Sequence, residues 1–285
     1  MAAGAVSWFT VLGAGGFIGQ ALVAHLRAAG DEVVAVRREG LSGFLEGRSS
    51  AGHVPAGHVI DCIGLTGDFR NRPLETAEAH VGVVARALAR GGMTSFLLLS
   101  STRVYARAAG TREDAEVPAV PAAAGDLYNI TKLAGEALCL SDPRPGWRVA
   151  RLSNVFGAGM GAACFLGQVL AEGRATGQVT FRQGLLSTKD YVAIEDVVPL
   201  LAGIAVSGRE RLYNVASGAN TTHDAIASVL SRRVGWRIVA EEGAATVRFP
   251  RIDINRIRNE FGTPRRGVLD ELPALAAVQR QEVAC

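Results

Sequence analysis

An α/β fold on a parallel sheet is what this sequence predicts, and three observations predict it. Short apolar or β-branched runs alternate with longer helical patterns up to Val215, a glycine-rich turn joins the first run to the first helix, and 285 residues at 48% hydrophobic content can bury a large core. Strands are expected at Ser7 to Leu12, Glu32 to Arg37, Val59 to Gly64, Ser95 to Ser100, Trp147 to Leu152 and Leu212 to Val215. Helices are expected at Phe17 to Ala29, Leu74 to Arg90, Tyr128 to Leu140 and Glu195 to Ala205. Two stretches break the rhythm. Thr111 to Gly125, with Pro118 and Pro121, reads as a loop over a site, and Gly157 to Leu186 as part of a smaller lid. After Gly218 the pattern is mostly helical. Two units are expected: residues 1–156, also using about 187–216, and a smaller unit of 157–186 and 217–285.

Composition excludes several classes. No apolar run reaches the roughly 18 uncharged residues of a membrane span, and Met1 to Gly16 has no basic region ahead of an apolar one, so a cytoplasmic protein is expected. Cys62, Cys139, Cys164 and Cys285 lack the spacing of a zinc cluster or disulfide framework, and no metal is expected. A net charge of +3 with interspersed signs gives no footprint for nucleic acid or an anionic membrane. Of 30 basic residues only Lys132 and Lys189 are lysines. A lysine retained against that bias marks a task for a compact ammonium.

Gly13, Gly16 and Gly19 lie at spacing three between a strand and a helix. Gly13 suits the tight turn, Gly16 the approach of phosphate to backbone, and Gly19 close helix–strand packing, while the helix opening at Gly15, Gly16, Phe17 and Ile18 offers oriented N–H donors. This is the start of a Rossmann-type, doubly wound dinucleotide fold. The second strand ends in Arg37 and Arg38 where an NAD site would offer a carboxylate to the ribose, so NADP is expected, with NAD as the alternative.

Tyr128 and Lys132, four apart on a helix, share one face. A phenol of ordinary pKa about 10 becomes a usable acid or base at neutral pH beside an ammonium. Upstream, the run Phe96 to Ser100 delivers Ser101 at a strand's C-terminal end, where ligands gather in parallel sheets. Ser101, Tyr128 and Lys132 are the candidate catalytic set.

Those glycines, Ser101 in SSTRVY and the YNITK segment together resemble the extended short-chain dehydrogenase/reductases. The likeness continues in Arg151 to Gly157 (RxxNxxG), Lys189 to Asp196 (RDxxxVxD, with lysine for the usual arginine) and Tyr213 to Gly218 (YNxxSG), and covers about residues 7 to 262. It implies a nucleotide-linked sugar substrate. Tyr128 would move a proton on the sugar hydroxyl, Lys132 would bind the nicotinamide ribose, and Ser101 would steady the oxygen. Asn154 and Lys189 would face the substrate's phosphates or hydroxyls, and a homodimer is the family's habit.

The chain also departs from its relatives. Dehydratases of this type carry an Asp-Glu pair where it has Thr102 and Arg103, which disfavours dehydration. Between Arg38 and Val59 there is no room for a full helix and strand, as in trimmed 4-ketoreductases. His80 stands where relatives commonly have Asn and reads as a packed histidine before a proton relay. Gly64 to Arg70 follows a strand end and faces cofactor or sugar, with Asp68 and Arg70 as specificity groups or a loop salt bridge. Arg174, Arg182, Arg248 and Arg251 in the lid favour a phosphorylated ligand. The leading expectation is an NADP-dependent sugar-nucleotide 4-ketoreductase. A 4-epimerase with retained NAD comes second, then a redox-sensing protein that holds NADP without turnover, and a reductase of aldehydes or flavonoid-like ketones.

Overall fold

In the computed structural model, which describes residues 6–47, 56–65 and 67–278, the centre is a six-stranded parallel sheet. Thr66 of the site loop and Cys285 lie outside the described residues. The chain runs β1 (Trp8–Leu12), α1 (Phe17–Ala28), β2 (Glu32–Val36), α2 (Leu41–Leu45), β3 (His58–Asp61), α3 (Pro73–Ala77), α4 (Val83–Arg90), β4 (Ser95–Ser101), α5 (Asp126–Ser141) and β5 (Trp147–Leu152). It continues through β6 (Asn154–Phe156), α6 (Phe165–Thr176), β7 (Gln178–Phe181), β8 (Thr188–Ala193), α7 (Ile194–Ser207) and β9 (Leu212–Val215). Last come β10 (Asn220–Thr222), α8 (His223–Val229), β11 (Arg237–Ala240), α9 (Asn255–Glu260) and α10 (Val268–Ala277).

The sheet order is β2-β1-β3-β4-β5-β9, all neighbours parallel. From β1 the chain steps outward to β2 and then across to β3, so the crevice for a ligand opens where the order reverses, beyond the C-terminal ends of β1 and β3. A strand covered on both faces must be apolar throughout, which is why β4 reads Phe96-Leu97-Leu98-Leu99. One face packs on α1 and α7 through Leu22, Leu26, Val197, Leu201 and Ile204. The other packs on α4 and α5 through Val84, Ala87 and Cys139. A separate core joins α6, α8 and α10 to β7 around Leu166, Leu170, Phe181, Ile226 and Leu272. The segment around α9 turns back, and Ile257 is buried against the core of the central sheet.

Two features differ from the sequence reading. Strands β10 and β11 fall where a mostly helical pattern was expected, β10 joining β8 and β6 in a three-stranded sheet and β11 pairing in parallel with β7. Strands of three or four residues are too short for period-two alternation to register, and their partners are distant in sequence. The expected helix from Leu74 to Arg90 contains a π-helical turn, Glu78–Gly82, between α3 and α4. It turns His80 inward, where Gly135 of α5 packs so closely on the His80 carbonyl that an added Cβ would stand 2.4 Å from the oxygen. Strand β2 is the outermost, and α2 is a helix of only five residues, consistent with the short span noted above.

Candidate active site

The glycine turn after β1 has the geometry its residues demand. Gly13 has φ +74°, and its N–H and that of Ala14 donate to the Val36 carbonyl at 3.0 and 3.1 Å, tying the turn to the end of β2. A side chain at Gly19 would put its Cβ 2.3 Å from the Gly13 oxygen, so only glycine lets α1 start so near the strand. Gly15 and Gly16 are exposed, and Phe17 and Ile18 open α1. The Arg37 side chain runs past Gly15, its Cγ 4.0 Å from where a Cβ would stand, while Arg37 and Arg38 are both exposed at the end of β2. A cradle that glycine alone keeps open, with a helix N-terminus and a guanidinium at its rim, fits the pyrophosphate of a dinucleotide.

Ser101 ends β4 and caps the 3-10 turn that follows, accepting from the Arg103 N–H at 3.2 Å. Tyr128, 5% exposed, lies in the first turn of α5. Burial holds the Tyr128 phenol above its ordinary pKa, against opposing pulls from Ser101 and the Arg103 guanidinium. The Tyr128 ring is wedged between Phe69, at 5.5 Å, and the edge of His80, at 5.2 Å.

Lys132, one helical turn on, is fully engaged below the surface. Its Nζ donates to the Leu99 carbonyl at 2.9 Å and lies 3.4 Å from where a Cβ on Gly64 would stand. Gly64 therefore leaves the approach to that ammonium open. Burial pushes Lys132 down to about 8, and the Asp61 and Glu136 carboxylates resist the fall. Asp61, at the end of β3, is fully buried. One oxygen accepts the Ile63 N–H at 2.9 Å, the other has no partner, and burial raises the acid to about 6.

His80 is settled by its partners. It takes the Leu65 N–H on Nε2 at 3.2 Å, which assigns the proton to Nδ1, 2.9 Å from the Thr131 hydroxyl. Burial, with the Lys132 charge, pushes it down to about 3, leaving a neutral packed imidazole that ties Leu65 to α5.

Sequence reading missed the buried network under this site. Glu136, four residues beyond Lys132, accepts two-pronged hydrogen bonds from Arg151 of β5, the shortest at 2.6 Å, and one from Ser100 at 2.5 Å. Arg151 also donates to the Tyr105 hydroxyl at 2.7 Å, and Tyr105 to Asn214 at 2.9 Å. Asn214 donates to the carbonyls of Thr111, at 2.7 Å, and Asp253, at 2.9 Å. Asp190 gathers Ser153, Ser217 and the Ala219 N–H at 2.6 to 3.1 Å. The later motifs thus hold one another in place. The signal was the i, i+4 placement of Glu136 behind Lys132.

Of the expected substrate contacts, Asn154 is exposed and its amide donates to the Asp190 carbonyl at 2.8 Å. The Lys189 Nζ lies 4.6 Å from the centre of the Phe165 ring, and Arg70 stacks on Phe69 at 4.5 Å. Asp68 bonds Asn71 at 2.7 Å and forms no ion pair with Arg70. Of the lid arginines, Arg174 caps the end of α10, Arg182 pairs with Glu172, Arg251 bonds the Gly218 carbonyl, and the backbone of Arg248 bridges Thr188. Among the described residues no group of acidic, His or Cys side chains could hold a metal, and no helix is long and apolar enough to cross a membrane.

A model of the NAD dependent epimerase/dehydratase family matches residues 9–216. The chain is 24% identical over 300 residues to the dTDP-6-deoxy-L-talose 4-dehydrogenase (NAD(P)(+)) of Kitasatospora kifunensis, covering 94% of each protein. Its fold is similar to RMD from Pseudomonas aeruginosa complexed with NADPH, at 23% identity, TM-score 0.76 and coverage of 95% and 98% of the two chains. It is also similar to MoeE5 in complex with UDP-glucose and NAD, at 23% identity, TM-score 0.75 and coverage of 94% and 97%.

Proposed function

The chain belongs to the NAD dependent epimerase/dehydratase family, whose members are NAD(P)-dependent enzymes acting on sugar nucleotides, and from that premise we propose that it is an NADP-dependent 4-ketoreductase of a nucleotide-linked sugar. The observation that carries the reading is Arg37 alongside Gly15 at the rim of the phosphate cradle, a cation placed for the 2′-phosphate of NADP rather than for a bare ribose. NADP is the dinucleotide of net reduction. Support also comes from the 4-dehydrogenase relative, which is named for NAD(P)(+).

In this reading Gly13, Gly15, Gly16, Phe17, Ile18 and Gly19 hold the pyrophosphate, Arg37 and Arg38 the ribose phosphate, and Gly64 and Lys132 the nicotinamide end. Residues 157–186 and 217–285, apart from α9, which packs on the central sheet, form the substrate-binding part, with Asn154, Lys189 and Arg70 at its border. The bound cofactor supplies a hydride to the ketone carbon. Tyr128 gives its phenolic proton to the oxygen that becomes negative, and Ser101 donates a hydrogen bond to that oxygen. Burial keeps Tyr128 protonated beforehand, as an acid in the reductive direction requires. The Lys132 ammonium stabilises the phenolate left behind until a solvent proton returns.

The test is to purify the protein, identify any cofactor it retains by mass, and follow NADPH oxidation with 4-keto sugar nucleotides. Exchangeable NADPH with turnover is the expected result. Tightly retained NAD with interconversion of 4-hydroxyl epimers would replace the reading with a 4-epimerase.

A further inference from the structure

Two guanidiniums meet at the reacting end of the site, and the acid that acts on one of them, Asp126 on Arg103, is shared with Arg107. Arg103, on the turn after Ser101, stands over the Tyr128 ring at 5.4 Å and over Phe69 at 5.0 Å. Arg70 stands over the same Phe69 at 4.5 Å. Their terminal nitrogens come together beside Gly125, 3.4 Å (Arg103) and 3.6 Å (Arg70) from where a Cβ on that glycine would stand. Among the described residues neither forms an ion pair. The nearest acid to Arg103, Asp126, is taken by Arg107 at 2.9 Å and the Val120 N–H at 2.8 Å. The hydrogen bond Arg103 makes through its side chain goes to the Gly125 carbonyl, at 3.2 Å.

Arg103 is half-buried, and burial together with the Arg70 charge lowers its pKa; Lys189 of β8 is coupled to Arg103 as a third positive charge. Arg70 is exposed beside them, and like charges held near a half-buried guanidinium disfavour the empty state, while an anion between them reverses the sign. The planar fork of a guanidinium matches a carboxylate oxygen pair. Position decides which anion. Arg103 lies against the ring of the residue that serves the reacting oxygen, so the anion sits on a carbon next to the reacting one. In a hexose nucleotide that is the C5 substituent, whereas the anomeric phosphate is across the ring.

We propose that the sugar presented to Tyr128 carries a carboxylate, a nucleoside-diphosphate uronate, held by Arg103 and Arg70. The proposal rests on the sugar-nucleotide reading above and names the sugar's charged group. It assigns Arg103 and Arg70 to substrate selection.

The experiment is calorimetric titration of the NADP-loaded protein with UDP-glucuronate, UDP-glucose and UDP. UDP-glucuronate should bind at least about tenfold more tightly than UDP-glucose, a charge-assisted hydrogen bond's worth of preference. Arg103→Gln should abolish that preference while leaving UDP unchanged, and Arg103→Lys, which keeps the charge, should retain part of it. Equal binding of the two sugars overturns the proposal and leaves the sugar-nucleotide reading standing. Equal weakening of UDP and UDP-glucuronate by Arg103→Gln overturns it too, by assigning the cations to the diphosphate. Failure of all three ligands to bind sinks both readings.

Discussion

The charge that draws the Tyr128 phenol down is that of Arg103, while the Lys132 ammonium donates to the Leu99 carbonyl at 2.9 Å and is anchored to the sheet. Its charge depends on the acid beneath it. Lys132 is pushed down to about 8 by burial and supported first by Asp61. A reductase that needs the ammonium therefore loses kcat as pH rises through about 8. Replacing Asp61 with Asn keeps the bond from the Ile63 N–H but removes the supporting charge, so the alkaline limb should move down by about one pH unit. A pH–rate profile of Asp61→Asn that overlays the wild type would reject this coupling.

Tyr128→Phe removes the acid while leaving the ring between Phe69 and His80. We expect kcat to fall by about 10²–10⁴-fold with NADPH affinity unchanged, measured by single-turnover hydride transfer.

Arg37→Gln should weaken NADPH binding by about 10–100-fold, the worth of one charged hydrogen bond, and leave NADH binding as it was. Fluorescence titration with both dinucleotides reads the difference, and equal weakening would place Arg37 on the pyrophosphate instead.

Glu136 and Arg151 form an ion pair with side chains 3% and 5% exposed. Glu136→Gln leaves a buried guanidinium short of its partner, and about 3–5 kcal/mol of stability should be lost. Replacing both residues by apolar side chains of similar size should recover most of that in urea unfolding.

Acid stability follows from two histidines. His80 is held down to about 3 and His223 to about 4 from an ordinary 6.5, in both cases first by burial. The unfolded chain binds these protons more readily, so stability present above pH 6.5 is lost as pH falls toward 4. Asp61, raised to about 6, works in the opposite sense between pH 6 and 4 and offsets part of the loss. Neither ring nitrogen of His223 has a partner, and the ring stacks on Phe165 at 4.1 Å. His223→Leu should flatten the decline in melting temperature between pH 6.5 and 4.5.

Much of this protein is legible from its residues. The glycine turn, the two-sided apolar run of β4 and the Tyr128–Lys132 spacing are local signals, and local signals survive in a single sequence. What escaped depends on the meeting of distant segments: the short lid strands, the bond from Ser100 and Arg151 to Glu136, the unpaired oxygen of Asp61, and the meeting of Arg70 with Arg103 beside Gly125. The π-helical turn escaped for a different reason, since it interrupts an otherwise regular helical pattern without a glycine or proline at its start.

The tie between Thr111 and the segment at Arg251–Asp253 also sets an order of events. The Thr111 hydroxyl donates to the Arg251 carbonyl at 2.8 Å and accepts the Asp253 N–H at 3.0 Å, and Asn214 bridges both segments. The loop between Ser101 and Tyr128 is thus fastened by residues about 140 positions downstream. On the ribosome, the cofactor-binding sheet can assemble while that clasp is still inside the exit tunnel. Maturation of the substrate site then has to wait until that downstream segment has been made.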